Sequence, residues 1–215
     1  MAKVTIIGAH GKVALQALPL LVEAGNQVAG VIRAQEQAED IAQTGAEPVV
    51  ADVEQLGVEQ LTELLQGTDV VVWSAGAGGG NPRRTYAVDR DAAIRTMDAA
   101  RDAGVERFVM VSYFGAGPDH GVDPENSFYA YAEAKAAADV YLETLPLSWT
   151  ILRPSALTHD EPTGLVDAEA DQAGQVSRGN VARMIAAAVA NPQGAQRRII
   201  SFNDGQTPVD EVLAH

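Results

Sequence analysis

Residues 4–7, Val-Thr-Ile-Ile, run directly into Gly8-Ala9-His10-Gly11-Lys12-Val13-Ala14, and this junction constrains the fold more than any other stretch of the chain. The β-branched run reads as a buried strand, because a parallel strand covered on both faces needs continuous apolar character. The residues beyond Gly11 read as the start of a helix, whose first N–H groups lack acceptors and whose dipole is positive at that end. Strand, glycine turn and helix start together make a phosphate-binding edge. Gly8 allows a tight exit from the strand, Gly11 lets backbone approach a pyrophosphate, and Ala14 lets the helix pack close to the strand. The spacing Gly-x-x-Gly-x-x-Ala is related to the dinucleotide fingerprint, with the first glycine interval lengthened.

Downstream, strand-like and helix-like stretches alternate. Residues 13–24 carry Leu15, Leu18, Leu21 and Val22 at helical spacing with Gly25 as the stop, and residues 28–32 form a second buried strand ending at Arg33. Helices are expected at 35–44, 58–65, 85–103, 127–145 and 180–190, and strands at 47–51, 69–74, 105–111, 149–152 and 199–202. Residues after 202 read as a short tail. The acidic stretch 158–173 has little apolar periodicity and is the candidate for a flexible lid. With no repeat, linker or low-complexity tract, the pattern predicts one α/β domain over residues 1–215: a Rossmann-type, doubly wound, mainly parallel sheet of about seven strands. Ligands of such sheets bind at the carboxyl ends of the strands, beside the switch point.

Several residues fall on that edge. An acidic residue at the end of the second strand would bind a ribose 2′-hydroxyl, whereas Arg33 can pair with a 2′-phosphate; a solvated arginine is the alternative. Asp52, after the third strand, can meet an adenine amino group with the Val53 backbone beside it, or can cap a helix. The small-residue run Ala75-Gly76-Ala77-Gly78-Gly79-Gly80 lets backbone pass under a bound cofactor.

The charge balance narrows the ligands. A net charge of −14 disfavours nucleic acid and anionic lipid as partners, so an anionic dinucleotide would rely on local cations such as Lys12 and Arg33. There is no cysteine, and the four histidines are not in metal-ligand spacing, so no metal site is expected. The start of the chain has no secretory pattern and no apolar run approaches bilayer length, which predicts a cytoplasmic location without membrane contact.

Tyr131 and Lys135 are spaced i,i+4 and so share one helix face. A neighbouring ammonium favours phenolate, so such a tyrosine can exchange a proton with a carbonyl or alcohol oxygen, while Lys135 can hold a ribose hydroxyl and Ser112 the same substrate oxygen. The alternative has Tyr131 half-buried and Lys135 extended to water along a tyrosine-rich helix.

The glycine turn, Arg33, Ser112, Tyr131 with Lys135, the segment Trp149-Thr150-Ile151-Leu152-Arg153-Pro154 and the closing Asp204-Gly205-Gln206-Thr207-Pro208 together resemble the short NAD(P)H-binding, epimerase/dehydratase-like branch of the atypical short-chain dehydrogenase/reductase superfamily. The resemblance covers nearly the whole chain. It implies that Gly8, His10, Gly11, Lys12 and Val13 lie on the pyrophosphate and Arg33 on the adenosine phosphate. It further implies Asp52 and Val53 near adenine, Ser74, Ala75 and Gly76 along the ribose, and Pro154 and Ser155 near the nicotinamide, with residues 154–178 as a small substrate-side segment. His10 stands where a small or hydroxyl residue is common, and Asn180 where an aspartate is usual. Sugar-nucleotide epimerases of the superfamily carry a larger C-terminal substrate domain, whereas about sixty residues follow Arg153. The expectation is therefore an NADP-preferring oxidoreductase, monomeric or homodimeric, passing hydride to a small carbonyl, quinone-like or flavin-like acceptor; the alternative is a non-catalytic NADP-binding sensor or interaction protein.

Overall fold

The structure, a computed structural model, describes residues 1–214. Eleven strands occur along these residues: β1 (Lys3–Ile7), β2 (Gln27–Ile32), β3 (Glu47–Val50), β4 (Val70–Trp73), β5 (Arg107–Val111), β6 (Ser148–Pro154), β7 (Ala156–Thr158), β8 (Leu165–Asp167), β9 (Gln175–Ser177), β10 (Arg198–Asp204) and β11 (Thr207–Pro208). The helices are α1 (Ala14–Glu23), α2 (Ala38–Gln43), α3 (Val58–Leu64), α4 (Pro82–Thr85), α5 (Ala93–Asp102), α6 (Tyr129–Thr144), α7 (Arg178–Ala190), α8 (Pro192–Ala195) and α9 (Val209–Val212).

The main sheet runs β11-β8-β10-β6-β5-β4-β1-β2-β3, and every pair from β3 to β10 is parallel. The chain starts in the middle, winds outward to β3, then returns to β4 on the other side of β1. That reversal opens a crevice at the carboxyl ends of β1 and β4. Seven parallel strands match the alternating pattern, but the sheet has nine, because β8 and β11 add an antiparallel edge beyond β10.

Side-chain alternation in the central strands feeds two cores. Val4, Ile6, Val70 and Val72 point to the face covered by α1 and α7, while Ile7, Val71, Trp73 and Phe108 point to the face covered by α3, α5 and α6. Burial on both faces is why these strands read as unbroken apolar runs.

Two stretches differ from expectation. Within 158–173, β8 pairs with both β10 and β11, and Val166 is fully buried in the core. Asn180 fixes this segment: its Oδ1 accepts from the Gly164 amide at 2.8 Å, and its Nδ2 donates to Leu165 O at 3.1 Å and Asp204 Oδ1 at 2.6 Å. An aspartate could not make the two donations, so the amide suits this position. The expected tail after 202 instead continues β10 and adds β11 and α9, with Val209 and Leu213 buried. Among the described residues, no helix is long and apolar enough to cross a membrane, and no group of three His, Cys, Asp or Glu is placed to hold a metal ion.

Candidate functional site

The β1–α1 turn is built by short-range backbone bonds. The amides of Gly8 and Ala9 both donate to Val31 O at the end of β2, and the Gly11 amide donates to Gly8 O at 2.9 Å. Gly8 has φ +81°, and a Cβ there would lie 2.5 Å from Ala75 Cα, so the chain leaving β4 passes directly against it. Gly11 does not have a positive φ; it lines both cavities described below, and a Cβ there would lie 3.1 Å from Gly8 O. No side chain caps the start of α1; the Leu15 and Gln16 amides donate to Gly11 O and Val13 O, which leaves the amides of Lys12, Val13 and Ala14 available to an anion.

One cavity of about 300 Å³ lies over β1–β3 and is bounded by Gly8, His10 and Gly11 of the turn, Arg33 and Gln37 beyond β2, Asp52 to Glu54 beyond β3, and Ser74 to Gly78 beyond β4. Arg33 is exposed and has no hydrogen bond or ion pair among the described residues. Asp52 lines the cavity and its Oδ1 accepts from the Glu54 amide at 3.1 Å, a turn-forming contact. The helix that follows it, α3, is instead started by Gln60, whose side chain accepts from the Gly57 amide. Two arginines with no sequence signal shape this wall. Arg84 bonds Ala77 O and Glu54, and Arg95 donates to the carbonyls of Val53, Glu54 and Leu56.

Sharing Gly11 and Ser74 to Gly78 with the first, a second cavity of about 700 Å³ extends over β4–β6. The two form one cleft along the carboxyl edge. Lys12 and Val13 border its inner end, and Pro154, Ser155, Leu157 and Arg178 form one wall. The opposite wall is aromatic: Tyr131 lies 5.6 Å from Tyr113 and 5.2 Å from Phe128, ring centre to ring centre. The Tyr113 hydroxyl is buried without a partner.

The Ser112, Tyr131 and Lys135 constellation is assembled differently from expectation. Lys135 is 1% exposed and does not border the cleft; its ammonium donates to Val111 O at 2.7 Å and approaches Met110 Sδ at 3.2 Å. Ser112 borders the cleft, but its hydroxyl donates to Asp139 Oδ2 at 2.8 Å. Arg153 donates to the same oxygen through Nε, 3.1 Å away. The Tyr131 phenol is pushed up, first by burial and then by the Asp89 and Asp139 carboxylates, so it stays protonated rather than tending to phenolate. The i,i+4 spacing does place Tyr131 and Lys135 on one face. The lysine, however, gives its ammonium to Val111 O of β5.

Asp89 is the group that sequence reasoning missed. Residues Tyr86–Ala92 form a π-helical segment between α4 and α5, and this widened turn carries the buried Asp89 to the cleft. Its Oδ2 accepts from the Ala77 amide at 3.0 Å, holding the small-residue run in place. Burial raises its carboxyl above the usual range, with Lys135 opposing. Burial likewise lowers the Lys135 ammonium, while Asp139 and Asp89 raise it. Asp139 is thus ion-paired with Arg153, and Lys135 is coupled through space to both Asp139 and Asp89.

The cleft fits a dinucleotide on geometric grounds. It has uncapped helical amides beside Gly11, an unpaired arginine at the far end of β2, a floor of small residues after β4 and an open pocket beside the aromatic wall. Comparison with known proteins agrees. The profile of a family described as NAD(P)H-binding matches residues 8–192. A Bacillus subtilis protein named as an uncharacterized sugar epimerase, YhfK, is 33% identical over 98% of each chain. A solved Bacillus halodurans chain named for the NAD-dependent epimerase/dehydratases superposes with a TM-score of 0.91 at 30% identity, covering 100% of this chain and 99% of that one. The Lactococcus lactis oxidoreductase ylbE superposes with a TM-score of 0.87, also at 30% identity, covering 99% and 95%. With its glycine turn, its sheet order and these relatives in common, the chain belongs to the NAD(P)H-binding family, in the epimerase/dehydratase-like branch of the atypical short-chain dehydrogenase/reductases.

Proposed function

We propose that the protein is an NADP-preferring oxidoreductase that passes hydride to a small carbonyl, quinone-like or flavin-like acceptor. The observation that carries this reading is the single cleft running from the unpaired Arg33, past the glycine turn, to the pocket beside Tyr113, Phe128 and Tyr131. The oxidoreductase name of the Lactococcus lactis relative supports it. Bound in that cleft, a reduced nicotinamide would supply the hydride. Arg33 would hold the adenosine phosphate, the amides of Lys12, Val13 and Ala14 with the Lys12 ammonium the pyrophosphate, and Ser74 to Gly76 the ribose. Pro154 and Ser155 would border the nicotinamide, and the aromatic wall would stack a planar acceptor and exclude water. Tyr131, held protonated, can donate a hydrogen bond to an acceptor oxygen.

A specific observation favours the second reading, a non-catalytic NADP-binding sensor. Ser112 and Lys135 are both committed to protein partners, leaving Tyr131 without the two polar helpers that carbonyl reduction would use. The deciding experiment is calorimetric titration with NADP(H) and NAD(H), followed by a screen of carbonyl, quinone and flavin acceptors for loss of NADPH absorbance. Saturable binding, abolished in a folded Gly11→Val variant, and turnover with one acceptor class are expected. Tight binding with no turnover on any class would leave the sensor reading, and no binding would refute both.

A further inference from the structure

We propose that Asp89 is a cofactor-binding residue whose carboxylate accepts hydrogen bonds from the hydroxyls of the nicotinamide-side ribose, the task that the spacing from Tyr131 suggests for Lys135. The inference rests on the cofactor assignment above. Asp89 is 1% exposed, yet it borders the larger cavity. Its Oδ2 accepts from the Ala77 amide at 3.0 Å, and apart from its own backbone N–H no other group among the described residues donates to the carboxyl. A carboxylate offers about four acceptor sites on two oxygens, so a buried one served this sparsely has capacity for donors from a ligand. Oδ1 lies 3.1 Å from the point where a Cβ on Gly76 would stand. The missing side chain at Gly76 therefore leaves that oxygen uncovered beside the small-residue floor.

The position of Asp89 selects which part of a dinucleotide it meets. It borders the larger cavity and not the smaller one that holds Arg33, and so belongs to the nicotinamide half of the cleft. The donors in that half of the cofactor are the two ribose hydroxyls and the carboxamide NH2. Pro154 and Ser155 are the residues assigned to the nicotinamide, whereas Gly76, beside Oδ1, is assigned with Ser74 and Ala75 to the ribose. Vicinal hydroxyls suit a carboxylate, as they do at the adenosine ribose of dinucleotide-binding sheets that carry an acidic residue after the second strand. Here Arg33 occupies that position and Asp89 supplies an acid at the other ribose. Lys135 gives its ammonium to Val111 O and Ser112 its hydroxyl to Asp139, so both are engaged elsewhere. Lys135 and Arg84 draw the Asp89 carboxyl toward its ionised form against the effect of burial.

The test is calorimetric measurement of Kd on wild type and Asp89→Asn with three probes. They are NADP, an NADP analogue whose nicotinamide-side ribose lacks both hydroxyls, and 2′,5′-ADP, which lacks the nicotinamide riboside altogether. NAD, its matching analogue and ADP replace them if wild type binds NAD more tightly. Asparagine keeps an acceptor for the Ala77 amide, so the floor stays in place while the charged acceptor is lost. Wild type should bind the analogue roughly tenfold to a hundredfold more weakly than NADP, and Asp89→Asn should lose NADP affinity by a similar factor. Asp89→Asn should discriminate NADP from the analogue at least about fivefold less than wild type does, and both proteins should bind 2′,5′-ADP alike. Equal discrimination in the two proteins, or equal weakening of all three probes in the variant, would overturn the ribose contact and leave the cofactor assignment intact. So would a wild type indifferent to the missing hydroxyls, a result that needs no variant and stands even if Asp89→Asn does not fold. Failure of wild type to bind either dinucleotide would overturn the assignment and this inference with it.

Discussion

Replacing Asp139 with alanine tests its buried ion pair with Arg153. The side chain is fully buried on α6, accepts from Ser112 Oγ at 2.8 Å and from Arg153 through Nε and Nη2 at 3.1 Å each, and stands one helical turn from Lys135. Removing one partner of a buried ion pair costs about 3–5 kcal/mol, because the other charge is left without compensation. Three features place Asp139→Ala at the lower end. The Arg153 side chain is 15% exposed and can reach water, Lys135 is already inclined to lose its proton, and Asp139 Oδ1 has no partner whose bond would be lost. A loss of about 3 kcal/mol should lower Tm by roughly 6–12 °C in a domain of this size. Asp139→Asn, which keeps an acceptor for Ser112 and Arg153, should lose less. Thermal melts followed by circular dichroism, with urea unfolding for the free energies, give both values. The double variant Asp139→Ala/Arg153→Ala should be more stable than the sum of the singles predicts, with a coupling of about 1–3 kcal/mol. Additivity within about 0.5 kcal/mol, or an Asp139→Ala loss below about 1 kcal/mol, would refute the picture of a mutually dependent pair.

Arg33→Ala should weaken NADP by one to two powers of ten and leave NAD nearly unchanged, since a charge-assisted contact is worth roughly 1.5–3 kcal/mol; equal losses in calorimetry would remove Arg33 from 2′-phosphate recognition. Tyr131→Phe should keep NADPH affinity and lower turnover by roughly two to four powers of ten if the phenol donates to the acceptor, and should cost little if the proton comes from water, a distinction read from kcat with carbonyl and flavin acceptors. The same variant tests the raised phenol. A folded value above the ordinary 10.0 means that Tyr131 stabilises the fold fully below about pH 10 and progressively less above it, so the stability of wild type relative to Tyr131→Phe should fall between melts near pH 9 and near pH 11. Gly8→Ala should destabilise by more than about 2 kcal/mol, because the positive φ costs about 1–2 kcal/mol and the new methyl meets Ala75 backbone as well. Gly11→Ala, free of the positive-φ penalty but with its methyl 3.1 Å from Gly8 O, should cost less stability than Gly8→Ala and bind the dinucleotide more weakly.

Much of the cleft was legible because its signals are local. A β-branched strand, a glycine turn and an apolar helix lie within about twenty residues, and each element's covalent geometry limits it to one conformation. The positive φ of Gly8, the α1 stop at Gly25 and the position of Arg33 just beyond β2 all follow from residues a few places away. Seven parallel strands likewise follow from runs such as Val70–Trp73, apolar on both faces. The polar chemistry was not legible, because a buried polar group takes whichever partner the fold brings near. Ser112 bonds a carboxylate 27 residues on, and Lys135 bonds a carbonyl 24 residues back, long-range contacts that a four-residue spacing does not announce. Asp89 reaches the cleft only because the helix around it widens to a π-helical turn, a change in hydrogen-bond register that side-chain periodicity does not encode. The edge made by β8 and β11 is too short and too polar to show alternation. It exists because Asn180 and Asp204, from distant parts of the chain, satisfy its backbone and each other, so sequence determines which elements form while tertiary structure decides which charges they place together.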